Sequence, residues 1–92
     1  MKQKILFVDD QTKVLLGLER MLHDQRDKWD MTFISSSLEA LKWIAQESCD
    51  VAVLDVNMPG KNGIELLTDI KSDFHTKNTE VIMLTGLQDQ KF

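Results

Sequence analysis

The chain has 92 residues, enough for about one small domain and too few for a second hydrophobic core beside it, so residues 1–92 are expected to form one unit. With 42% hydrophobic and 28% charged residues, it is neither a disordered nor a fibrous polymer. A formal charge of -4, from 15 acidic and 11 basic residues, disfavours nucleic acid as a direct partner, and no Lys/Arg cluster offsets that balance.

In chain order, the first predicted element is a strand. Ile5-Leu6-Phe7-Val8 is a continuous apolar run too short for a helix, and it is closed by Asp9-Asp10. A charged pair this early leaves room for neither a signal peptide nor a membrane span, so the expected location is the cytoplasm. From Thr12 onward Val14, Leu15, Leu18, Met21 and Leu22 recur at three- and four-residue intervals, which predicts an amphipathic helix. Met31-Thr32-Phe33-Ile34 reads as a second strand. Ser36-x-x-Glu39 then has the form of a capping box for a second helix carrying Leu38, Leu41, Ile44 and Ala45.

The single cysteine, Cys49, cannot form an intrachain disulfide and precedes another apolar run, which points to a small packed side chain in a reducing compartment. That run, Val51-Ala52-Val53-Leu54, is the third strand and ends on Asp55. Pro59-Gly60 and Asn62-Gly63 mark a turn-rich loop before Ile64, Leu67 and Ile70 resume helical spacing. Val81-Ile82-Met83-Leu84 is the fourth strand and ends on Thr85. His23 and His75 are expected at the surface, and Trp29 and Trp43 in packing roles.

Buried strands separated by helices call for a parallel sheet with right-handed crossovers, an open α/β sandwich. In such sheets ligands gather outside the carboxyl ends of the strands. The residues there are Asp9 and Asp10, Asp55 and Thr85. Three carboxylates brought together repel one another unless a cation neutralises them. Mg²⁺ suits this set, since it takes oxygen ligands and is usually held by one or two carboxylates together with a phosphate oxygen. A carboxylate beside such an ion can attack a phosphoryl group and carry it as an acyl phosphate, with the Thr85 hydroxyl placed to bond a phosphoryl oxygen.

Three motifs, Phe7-Val8-Asp9-Asp10, the stretch from Asp55 through Asn57, Pro59 and Gly60 to Gly63, and Thr85-Gly86, resemble the receiver domains of bacterial two-component response regulators. The resemblance spans essentially all 92 residues and includes the separations of 45 positions from Asp10 to Asp55 and 30 from Asp55 to Thr85. It implies a flavodoxin-like, doubly wound sheet in the order 2-1-3-4 with the site where the strand order reverses. It further implies that Asp55 is the phosphoacceptor, and that Asp9, Asp10, Asp55 and the backbone carbonyl of Asn57 hold Mg²⁺. Thr85 becomes the switch hydroxyl, and a sensor histidine kinase or phosphotransfer protein the donor. The expected role is that of a signalling domain rather than an enzyme. The segment Arg26-Asp27-Lys28-Trp29-Asp30-Met31 faintly resembles receivers attached to HD-type hydrolase domains.

Family members continue through a fourth helix, a fifth strand and a fifth helix, and the fifth strand ends on a lysine that contacts the phosphoryl group. Lys91 stands only six residues beyond Thr85, too soon for that place. The expectation is a receiver truncated at its C-terminal end, with an exposed sheet edge that favours a homodimer or strand-exchanged oligomer. Two alternatives remain at this point: a receiver-like interaction module that is never phosphorylated, and a phosphatase fragment of the haloacid dehalogenase type. The latter needs a second aspartate where Asn57 stands.

Overall fold

The apolar runs form four strands: β1 (Gln3–Val8), β2 (Trp29–Ile34), β3 (Val51–Asp55) and β4 (Glu80–Leu84). They belong to a computed structural model that describes residues 2–84. All pairings are parallel and the order is β2-β1-β3-β4. Between the strands lie α1 (Thr12–Met21), α2 (Ser37–Gln46) and α3 (Gly63–Ser72), with a short 3-10 turn at His23–Gln25. The expected doubly wound architecture is therefore present, with the order of strands reversing at β1 and β3.

Side chains alternate across the sheet and give each face its own core. Leu6, Val8, Ala52 and Leu54 face one way and meet Ala40 and Ile44 of α2 and Leu66 and Ile70 of α3. Ile5 and Phe7 face the other way and meet Leu15 of α1, with Phe33 and Val53 packed alongside. Phe7 and Phe33 stack with ring centroids 4.9 Å apart. Trp29 and Trp43 pack against these cores, as their sequence context predicts, and His23 and His75 are exposed.

The helical stripes read from sequence differ from the observed ones in a consistent way. Leu38 and Ile64 are 62% and 53% exposed, while Leu66, not on the predicted stripe, is wholly buried. Residues two apart on a helix lie about 200° apart around its axis, so Leu38 and Ile64 point away from the faces on which the pairs Ala40/Ile44 and Leu66/Ile70, four residues apart, meet the sheet. Met21, in the last turn of α1, is likewise 70% exposed.

Helix starts follow the chemistry of their caps. Ser36 Oγ accepts from Glu39 N at 3.3 Å. Asn62 and Glu65 form a full capping box, each side chain accepting the other's backbone N–H at 2.9 Å. At the opposite end of the sheet, Asp50 Oδ2 accepts from Lys4 N at 2.8 Å, and the Asp50 carbonyl accepts from Glu80 N at 2.9 Å. Cys49 Sγ donates to the Val51 carbonyl at 3.0 Å and packs against the core, and burial pushes its thiol pKa up. Thr79, 4% exposed, donates from Oγ1 to the Cys49 carbonyl at 2.8 Å. Thr79→Val keeps the shape and loses this bond, and is expected to cost about 1 kcal/mol in urea denaturation.

Candidate functional site

β1 and β3 are neighbours, with Val8 opposite Leu54, so the residues that leave the ends of these strands emerge side by side. Asp9 and Asp10 follow β1, and Asp55 closes β3. One carboxylate oxygen from each of the three lies within 4.8 Å of the others. Asp55 is 9% exposed, so its carboxylate sits at the floor of the rim. The expected convergence of three strand-end acids is observed. Thr85, expected to complete the set, lies outside the described residues, as does Lys91. Its predecessor Leu84 pairs with Asp55 across the sheet.

Local hydrogen bonds hold the acids in place. Asp9 Oδ1 accepts from Gln11 N at 2.9 Å, an Asx turn that directs the chain into α1. The Asp9 N–H donates to the Ile34 carbonyl at 3.3 Å and extends the β1–β2 ladder by one residue. Asp55 Oδ1 accepts from Asn57 N at 3.2 Å. Val56 N–H donates to the Leu84 carbonyl, and the Val56 carbonyl accepts from Gly63 N, both at 3.1 Å. The loop after β3 is thereby tied to β4 on one side and α3 on the other. Gly60 turns that loop at a φ of 73°, in the left-handed region that favours glycine.

Burial raises the Asp9 carboxyl above its ordinary pKa; the Gln11 N–H opposes this, and the Asp10 charge adds to it. Asp10 Oδ1 is buried with no hydrogen-bond partner among the described residues. A buried carboxylate oxygen left unpaired is costly, and a hard cation between the three acids relieves both that cost and their repulsion. The donor set, oxygen atoms from three carboxylates, fits Mg²⁺. Beside the acids runs a cleft of about 240 Å³ lined by Asp10, Ser35, Ser36, Ser37, Met58 and Lys61. The Lys61 ammonium is held 2.6 Å from Asp69 Oδ2. The Asn62-x-x-Glu65 box behind this loop has the same spacing as Ser36-x-x-Glu39, although in the sequence Asn62 reads only as a turn residue. The cleft was not legible in sequence, because it is assembled from loops after β2 and β3.

Fold and site together define a doubly wound parallel α/β domain with a cluster of acids at the strand-order reversal. The chain belongs to the response regulator receiver domain family, whose model matches residues 5–92. It is 33% identical to response regulator UvrY of Escherichia coli K12 over 88% of its own length and 36% of UvrY, and 32% identical to sporulation initiation phosphotransferase F of Bacillus subtilis over 94% of its length and 66% of that protein. It therefore spans about a third of the first of these relatives and just under two thirds of the second. Among solved structures, the N-terminal domain of a response regulator receiver protein from Methanoculleus marisnigri is 32% identical, with a TM-score of 0.80 over 89% of this chain and 65% of that one. The receiver domain of an HD domain-containing protein from Pseudomonas fluorescens is 27% identical, with a TM-score of 0.84 over 94% and 66%. Among the described residues no helix is long and apolar enough to cross a membrane.

Proposed function

We propose that this domain accepts a phosphoryl group on Asp55 in a Mg²⁺-dependent reaction, with a histidine kinase or phosphotransfer protein as donor. The observation that carries the reading is the meeting of Asp9, Asp10 and Asp55 within 4.8 Å, with one buried Asp10 oxygen that has no partner among the described residues. Asp9, Asp10, Asp55 and the Asn57 carbonyl would hold the ion, which supplies positive charge against the phosphoryl oxygens and screens the approach of two anions. An Asp55 carboxylate oxygen forms the new bond to phosphorus as the bond from phosphorus to the donor's imidazole nitrogen breaks, with its electron pair left on nitrogen. The Asn57 N–H to Asp55 Oδ1 bond orients the carboxylate for that attack. Thr85, one residue beyond β4, is proposed as the hydroxyl that bonds the transferred group. On this reading the domain is a signalling switch found in the cytoplasm, with no catalytic turnover beyond its own phosphorylation and dephosphorylation.

Incubation with a small acyl-phosphate donor tests this against its rivals. A stable adduct of one phosphoryl group that requires Mg²⁺ supports the receiver reading. Sustained phosphate release points instead to a phosphatase, and the absence of any adduct to a pure interaction module. Self-association is proposed through β4, a sheet edge among the described residues whose Ile82 and Leu84 are 51% and 43% exposed. Light scattering that reports a monomer at every concentration rules it out.

The raised Asp9 carboxyl sets a pH dependence. In the metal-free protein, between the ordinary value of 3.8 and the raised one, the folded chain holds more protons than the unfolded chain. This contribution to stability therefore declines as pH rises through that window. Mg²⁺ must displace the same proton, so its affinity is expected to weaken as pH falls from neutrality into the window. Calorimetric titration at a series of pH values measures this, and Mg²⁺ affinity independent of pH would contradict it.

A further inference from the structure

The first turn of α3 approaches the end of β3 more closely than a residue with a Cβ allows. A Cβ on Gly63 would collide with the carbonyl oxygen of Asp55 and stand 2.9 Å from both the Asp55 carbonyl carbon and Met83 Cε. Met83 Cε is the end of a flexible side chain and can swing aside. The Asp55 carbonyl belongs to a residue paired into the sheet and cannot. Gly63 has no positive φ, so space rather than backbone conformation requires glycine here.

The same contact closes the loop that carries Asn57. Gly63 N–H donates to the Val56 carbonyl, and the Asn62–Glu65 box and the Lys61–Asp69 ion pair anchor the loop's far end to α3. Displacing α3 outward by the width of a methyl group therefore pulls on Val56, which lies between Asp55 and Asn57, two of the residues proposed to hold Mg²⁺.

We infer that Gly63 is a positioning residue for the phosphoacceptor: its missing side chain lets α3 seat on the Asp55 carbonyl, and that seat sets Asp55 and Asn57 for the metal. The inference rests on the function proposed above. Its test is Mg²⁺ affinity by calorimetry, alongside far-UV circular dichroism to establish folding. Gly63→Ala is expected to weaken Mg²⁺ binding about tenfold or more, the range seen when groups behind metal ligands are altered. Adding Met83→Ala is expected not to restore it, because the remaining collision is with backbone. Asn62→Gly adds no atoms, costs the fold little and is expected to weaken binding to a smaller extent.

Native Mg²⁺ affinity in folded Gly63→Ala, or full recovery on adding Met83→Ala, overturns the inference. Where Gly63→Ala does not fold, Asn62→Gly decides the matter, and unchanged affinity there overturns it. A native chain that binds no Mg²⁺ overturns the proposed function and this inference with it, whereas native binding with unaffected variants overturns this inference alone.

Discussion

Asp55→Asn is expected to abolish phosphoryl uptake from a small acyl-phosphate donor, with no adduct in the intact-protein mass spectrum under conditions where the native chain is modified. Asparagine matches aspartate in shape, and its amide oxygen can still accept the Asn57 N–H that Asp55 Oδ1 accepts at 3.2 Å. The fold should therefore survive, since relief of repulsion among three clustered carboxylates offsets the loss of any bond the amide cannot make. What disappears is the nucleophilic oxygen and one unit of negative charge on the metal. A folded Asp55→Asn protein that gains the same adduct would place the phosphoacceptor elsewhere.

The second large effect concerns stability. Leu66 is wholly buried between α3 and the sheet, and Leu66→Ala is expected to cost about 3 kcal/mol, the sum of lost burial and the cavity left behind. Ile64, two residues earlier and 53% exposed, is expected to cost under about 0.5 kcal/mol on the same truncation. Urea denaturation of both variants measures the contrast. Equal costs would mean that α3 presents a different face to the sheet, which would also unseat Gly63 from Asp55.

That pair of residues shows where sequence reading succeeds and where it stops. Continuous runs such as Ile5–Val8 and Val51–Leu54 can be satisfied only by strands covered on both sides, so the sheet and its alternation with helices follow from pattern alone. The acids at the strand ends are legible for a related reason, because a charge that closes an apolar run must sit where the strand leaves the core. Asp50 and Asp55 bracket the same strand, yet only topology separates them: Asp50 ties Lys4 and Glu80 at one end, while Asp55 meets Asp9 and Asp10 at the other. Helical periodicity shows that α3 is amphipathic, but α3 carries apolar residues on more than one side, so it could not tell Ile64 from Leu66: which side meets the sheet is settled only when the helix docks. The Gly63 contact was out of reach for the same reason: a glycine in an Asn-Gly pair reads as a turn residue, and its closeness to Asp55 exists only once α3 is docked.

The proposal that Asp55 carries the phosphoryl group is tested most directly by trapping the acyl phosphate. Borohydride reduces an aspartyl phosphate to homoserine, and peptide sequencing of the native chain after treatment with phosphodonor and Mg²⁺ then locates the modified position. Homoserine at position 55, absent when Mg²⁺ is chelated, is the expected result. Homoserine at any other aspartate, or none in a chain that has demonstrably bound Mg²⁺, would contradict it.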